Sequence, residues 1–306
     1  MTVGKRLLIT LLLSLLPVAL WAQVYDTVSV FSQPVQLDSF VIKSGFDVNA
    51  FIARVRTDTT FYKAFKNMRF VPYTAVNDII VLGRSGQATA WWHSTTVQER
   101  TGNCRVTKVS EQKSTGDFFK RNGGYNYYTA ELFAYLFLSP KPVCNESEVI
   151  AGGLEQGGGG QMQKREYQLK QLIFNPGAKV SGIPFMGDRA SIFEKGEAEK
   201  YDFRITREVL DGTQCYRFSI LPKPGNEKKV LYNELVTWFR QSDYSIVARN
   251  YSLSYHTMVY DFDVKMKVRT AQRGTKLYPT WVSYDGNWHV FTKKRERVKF
   301  TVAVTY

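Results

Sequence analysis

The sequence predicts an α+β fold, a long antiparallel sheet curled into an unclosed half-barrel with one or two helices on its concave face. Three observations predict it. In residues 260–269 Tyr260, Phe262, Val264, Met266 and Val268 alternate without a fault with Asp261, Asp263, Lys265, Lys267 and Arg269, the pattern of a strand with one dry and one wet face. The alternation recurs in Tyr201-Phe203-Ile205, Tyr216-Phe218-Ile220 and the terminal Val298-Phe300-Val302-Val304-Tyr306, and the short connections between such runs require antiparallel neighbours. Helical spacing is concentrated early, where Phe51, Ile52 and Val55, then Phe61, Tyr62, Phe65 and Met68, fall on common faces.

Along the chain, residues 1–22 join a positive start, Lys5 and Arg6, to an apolar run and a small residue, Ala22. That is the pattern of a cleaved secretory signal peptide; the run falls short of the roughly 20 residues a membrane-spanning helix needs. Residues 23–306 are then expected to form one half-barrel domain. Short strands are predicted at 28–31 and 40–42. Asp47 is the expected cap of a first helix and Asp58 or Thr59 of a second. Strands follow at 79–82 and 88–97 about a Gly83-Arg84-Ser85-Gly86 turn, and at 104–109. Neighbouring Trp91 and Trp92 must point to opposite faces.

Residues 111–166 interrupt the strand pattern and read as an insertion or lid, with a helix at 129–138 that is apolar nearly all round and therefore expected to be buried, and a glycine loop from Gly157 to Gly160. Strand character returns at 168–174. It then continues through 201–207, an Asp211-Gly212 turn, 215–221, 235–241, 244–255, 258–269 and 278–284, an Asp285-Gly286 turn, 288–293 and 298–306. A meander of this length curls or closes.

Composition narrows the partners more than the chemistry. The formal net charge is +14, and +12 once Lys5 and Arg6 leave with the leader, which favours anionic partners such as a membrane surface or an acidic envelope component. Nucleic acid is not expected outside the cytoplasm, and lysines and arginines filling the wet sheet face explain the same excess. Of the three cysteines, Cys215 falls inside a strand and reads as a buried thiol, while a bridge between Cys104 and Cys144 is one of the open pairings. None has metal or redox spacing. His93, His256 and His289 are dispersed, and no metal site or cofactor is expected. Asp261 with Asp263 could serve acid–base chemistry, and Ser283, Asp285 and His289 are the one local trio resembling nucleophilic machinery. The first pair reads better as a solvated face and the second as a turn, so no catalytic residue is assigned.

The ordered succession Gly182-Ile183-Pro184-Phe185, Tyr201-Asp202-Phe203-Arg204-Ile205, Asp211-Gly212, Cys215-Tyr216, Pro222-Lys223-Pro224, Trp238-Phe239, Asp243-Tyr244-Ser245-Ile246 to Arg249, residues 260–264, Tyr278-Pro279 and the last strand resembles the periplasmic lipoprotein-carrier and outer-membrane lipoprotein-sorting superfamily, as a divergent member. The resemblance covers residues 168–306 well and 45–98 weakly, and 111–166 depart from it. It implies an unclosed barrel that holds acyl chains and acts in the cell envelope.

The expected function is thus a soluble periplasmic carrier or binder of a lipid, a lipoprotein acyl chain or another amphiphile, without catalysis. The expected lining is Tyr201, Phe203, Tyr216, Phe218, Tyr260, Phe262, Met266 and Phe300, faced from the helices by Phe51, Val55 and Phe65. The alternative is a structural or interaction module of the envelope, in which the same sheet is packed solid and its basic face docks on an anionic surface or an envelope protein.

Overall fold

The structure, a computed structural model, describes residues 35–37, 46–146, 176–177, 186, 188–258, 260–290 and 294–306, with the backbone alone at positions 36, 37, 260 and 290. The leader, the strands predicted at 28–31, 40–42 and 168–174, the Gly157 to Gly160 loop and the Gly182 to Phe185 segment lie outside the described residues.

Among the described residues are twelve strands: β1 (Val35–Leu37), β2 (Tyr73–Leu82), β3 (Ala88–Thr101), β4 (Cys104–Thr115), β5 (Val143–Cys144), β6 (Tyr201–Leu210), β7 (Thr213–Pro222), β8 (Tyr232–Arg240), β9 (Ile246–His256), β10 (Tyr260–Arg273), β11 (Lys276–Val290) and β12 (Glu296–Thr305). They form one sheet in the order β1-β6-β7-β8-β9-β10-β11-β12-β2-β3-β4-β5. Eleven strands run antiparallel, while β1 adds a short parallel edge on β6 and the two-residue β5 ends the other side. The sheet is therefore an unclosed half-barrel. Among the described residues three α-helices accompany it: α1 (Val48–Thr57), α2 (Thr60–Asn67) and α3 (Tyr128–Phe137).

The alternation of the sequence is translated directly into faces. β2 buries every odd residue from Tyr73 to Val81 and exposes the even ones except the half-buried Leu82, and β10 does the same in even phase through Phe262, Val264, Met266 and Val268. Register then lines these residues up across the sheet. Phe203, Ile220, Leu235, Tyr251, Met266, Tyr284, Phe300, Ile79 and Trp92 stand opposite one another on nine consecutive strands, and each is at most 4% exposed. Residues directly opposed across strands share a face, so this row is the floor of the concave side. As expected, Trp92 is in it and Trp91 is on the other face.

Two identical dipeptides behave differently. Asp211 (φ 48°) and Gly212 (φ 77°) both adopt positive φ between β6 and β7, the requirement of a type I′ hairpin turn. Asp285 and Gly286 make no turn. They lie inside the continuous fifteen-residue β11, with Gly286 opposite Val264 on β10 and Val298 on β12. The glycine serves packing instead, since a Cβ there would fall 1.9 Å from the hydroxyl of Tyr284. That ring lies over the glycine, stacks on Phe300 with centroids 4.7 Å apart and accepts a hydrogen bond from the Trp288 indole. Ser283, Asp285 and His289 are consequently alternate residues of one extended strand rather than a trio around a hairpin.

β4 continues to Thr115, past the strand predicted to end at 109, so the meander reaches into the segment read as an insertion. In α3, Thr129, Ala130, Phe133 and Phe137 are buried while Tyr135 is 59% exposed. The helix is dry on one face, not all round. Cys104 and Cys144 are disulfide-bonded across β4 and β5, and Cys215 is a buried free thiol.

Candidate functional site

The helices bring the concave face to completion. Asp47 caps α1 by accepting from the Ala50 amide at 2.9 Å, and Asp58 Oδ1 accepts from the Thr60 amide at 2.5 Å at the start of α2, while Thr59 makes no side-chain cap. Each helix then presents its apolar stripe to the sheet. Phe51 meets Phe239 and Phe218 edge-to-face, with centroids 5.1 Å and 5.7 Å away, and Phe46 packs on Tyr216 at 4.6 Å. Such ring pairs add roughly 0.5–1.5 kcal/mol each beyond the area they bury. Phe61 of α2 stands over Tyr251 and Arg249. On the other half of the same face, Phe133 of α3 packs against Phe300 and Trp92.

The attachments of the α1–α2 pair are unequal. At its C-terminal end, Gln98 Nε2 donates to the carbonyls of Met68 and Val71, both at 2.7 Å, Arg100 donates to the Arg69 carbonyl at 2.7 Å, and Asn67 donates to the Leu277 carbonyl at 2.9 Å. Gln98 in turn is bound to the buried Arg105, which pairs with Glu146 and reaches Ser139 at the end of α3. Tyr73 donates to the Phe137 carbonyl at 3.0 Å, and its burial pushes the phenol up to about 12. α1 is held chiefly by rings. Its polar ties to the rest of the fold, among the described residues, are Arg54 to the Asp243 carbonyl at 3.0 Å and an Arg56–Glu194 ion pair at 3.5 Å.

Between α1 and strands β7–β9 lies a cavity of ≈ 50 Å³ lined by Val55, Phe193, Phe218, Ile220, Leu235 and, among its few polar groups, Arg249. Beside it, meeting it at Asp58, an open groove of ≈ 630 Å³ runs between the helix pair and the β8–β9 and β10–β11 connections, lined by Arg54, Lys63, Lys66 and Lys276 with Asp243, Tyr244 and Phe70. Ligand pockets commonly span about 300–1,000 Å³, so the groove has that size and the enclosed cavity does not.

Of the residues expected to line a site, Tyr201, Phe203, Phe218, Phe262, Met266 and Phe300 are at most 3% exposed, and Phe51 and Tyr216 nearly so. Val55 and Phe65 are half-buried against the same core. The Tyr260 side chain lies outside the described residues. The fold brings Phe51, Val55, Tyr216 and Phe218 together beneath α1 and the floor residues Met266 and Phe300 into one row, while Phe65 belongs to α2 and touches Phe61. Sequence reasoning missed Arg249. It falls in phase with the buried Tyr251, Leu253 and Tyr255 of β9; a lone charge in the apolar phase of a strand was the signal.

The carboxylates weighed for chemistry are on the outer face. Asp261 Oδ1 is 2.7 Å from His256 Nδ1, Asp263 is 3.5 Å from His256 Nε2, and Arg295 also reaches Asp261. The His256 hydrogen bond, opposed by partial burial and joined by Arg295, holds the Asp261 carboxyl below the usual range. Asp285 pairs with Lys299 at 2.9 Å. Among the described residues no group of histidine, cysteine and carboxylate side chains could hold a metal ion, and no helix is long and apolar enough to cross a membrane.

No family model matches the chain and no curated protein matches its sequence. Among solved structures it is similar to an outer membrane lipoprotein-sorting protein domain from Vibrio parahaemolyticus (10% identity, TM-score 0.26, 80% of this chain and 90% of that one) and to a DUF1329 family protein from Desulfovibrio piger (11%, TM-score 0.23, 81% and 92%). A structure described as lipid–protein interactions in lipovitellin aligns at 7% identity and TM-score 0.24, over 76% of this chain and 24% of that one. At these scores the likenesses bear no functional argument, and the site itself has to supply it.

Proposed function

We propose that the protein is a non-catalytic binder or carrier of a lipid, an acylated chain or another amphiphile, exported by the leader at residues 1–22 and acting in the cell envelope as one domain over 23–306. The observation that carries this reading is the unequal attachment of the helix pair. A dry aromatic floor lies under α1, and α1 is joined to it by rings and two exposed polar ties, whereas the C-terminal end of α2 is fastened by buried hydrogen bonds. Lifting α1 about that fixed end exchanges ring–ring contact for ring–chain contact, and each buried CH₂ of a guest returns about 0.8 kcal/mol. α3, which falls within the segment 111–166 read as an insertion, covers the other half of the concave floor at Phe300 and Trp92.

Purification from the native envelope followed by native mass spectrometry tests this. A mass excess that chloroform extraction removes and identifies as lipid or acylated material supports the carrier. Protein at its bare mass that also fails to take up added lipid sinks it. The small volume of the cavity under α1, ≈ 50 Å³, favours the second reading, an interaction module with a solid core, and bare, non-binding protein is the outcome that reading expects.

A further inference from the structure

Arg249 is 7% exposed, on the concave side of β9, beneath the junction of α1 and α2. A guanidinium offers five N–H donors. Nε donates to Thr237 Oγ1 at 2.9 Å, and the group lies over the Phe61 ring, 4.4 Å from its centroid. Among the described residues Arg249 forms no ion pair; Asp58, the carboxylate whose charge it feels most, lines the same cavity and accepts from the Thr60 amide at the start of α2. Burial consequently lowers the Arg249 pKa, with Asp58 acting the other way. Buried cations are ordinarily paired, because desolvation without a counter-charge is expensive. This one borders a cavity whose other walls are apolar apart from Arg56, Asp58 and Thr237, and in the adjoining groove Arg54, Lys63, Lys66 and Lys276 outnumber Asp58 and Asp243.

We propose that Arg249 is the anion-binding group of the concave face, taking the carboxylate or phosphate end of an amphiphile whose chain lies between α1 and the sheet. The proposal rests on the carrier reading and adds the ligand's class to it. The fork of Nη donors suits a planar or tetrahedral oxyanion bidentately, and Thr237 and the Phe61 ring hold the fork in orientation. The cavity of ≈ 50 Å³ accepts a headgroup of that size, and the chain takes the space that α1 vacates. The basic groove draws an anion toward the site by long-range attraction.

The test compares delipidated wild-type protein with Arg249→Met and Arg249→Lys, titrated with dodecanoate, dodecanol, acetate and inorganic phosphate below the micellar range. Wild type is expected to bind dodecanoate at least tenfold more tightly than dodecanol. Arg249→Met should bring that ratio to about one with dodecanol affinity unchanged, and Arg249→Lys should keep part of it. A ratio that survives Arg249→Met overturns the proposal. Equal binding of dodecanoate and dodecanol by wild type overturns it too, while leaving the carrier reading standing. Phosphate or acetate bound by wild type and lost in Arg249→Met, without binding of either chain, upholds the anion site for a free ion and removes the amphiphile. No binding by any probe overturns both. Should Arg249→Met fail to fold, the wild-type ratio and its change in Arg249→Lys decide.

Discussion

Replacing Phe51 by alanine tests whether α1 is a separable cover. The side chain is 4% exposed and touches Phe46, Tyr216, Phe218, Phe239 and Tyr244, with centroids 5.1–6.5 Å away. Phe→Ala at a fully packed site costs about 3–5 kcal/mol, the lost transfer plus the cavity left behind. At about 1.4 kcal/mol per tenfold change, amide exchange in α1 should accelerate about 10²-fold or more, up to full release of the helix. If α1 docks independently, β7 and β8 keep their protection, because local opening need not involve the sheet. The thermal midpoint should then move by no more than a few degrees. Were the same energy drawn from global stability, a domain of this size would lose roughly 5–8 °C, at about 2.1 cal/mol/K of unfolding entropy per residue. Hydrogen exchange read by mass spectrometry, with a parallel melt, separates the two. Exchange in β7 and β8 rising in step with α1, together with the larger drop in midpoint, refutes the idea of a cover over a standing sheet.

Gly286→Ala forces the Tyr284 ring off the strand and away from Trp288 and Phe300, so a loss of about 1–3 kcal/mol is expected in urea unfolding; neutrality shows the ring free to move. Cys104 and Cys144 close a loop of sequence separation 40, for which chain entropy gives about 4 kcal/mol as an upper bound. Reduction should lower the urea midpoint accordingly, and thiol titration of the unreduced chain should find Cys215 alone, and only after unfolding. Asp261 has a folded-state carboxyl below its unfolded value near 3.9, so its contribution is present above that pH and is lost as pH falls through the lower folded value. Asp261→Asn should therefore flatten the acid limb of the stability curve below about pH 4, change stability at pH 7 by less than about 1 kcal/mol because the pair is largely solvated, and leave ligand binding intact. An unaltered acid limb contradicts the pairing with His256 and Arg295.

Much of this fold was legible because its signals are local. Period-two alternation in β6, β10 and β12 is a property of neighbouring residues, and the caps at Asp47 and Asp58 act within three residues. The half-barrel followed from the number of such strands and their short connections. The site was legible only as a list. Phe51 was expected to face Tyr216 and Phe218 from the helix, but which of the expected rings meet one another and the in-phase charge at Arg249 were not drawn from the sequence.

The two Asp-Gly pairs mark the boundary. By itself the sequence determined which residues face inward, where the helices begin and that the sheet is long, since chirality, caps and alternation operate over a few residues. It could not determine that Asp211-Gly212 turns the chain while Asp285-Gly286 runs straight through β11. Only β10 and β12, which pair on either side of Gly286, and the Tyr284 ring that fills its missing side chain decide that. The same physics decides the interior: whether an aromatic face encloses space depends on how α1, α2 and α3 settle on it from distant points of the chain, and packing at that range is written in no local pattern.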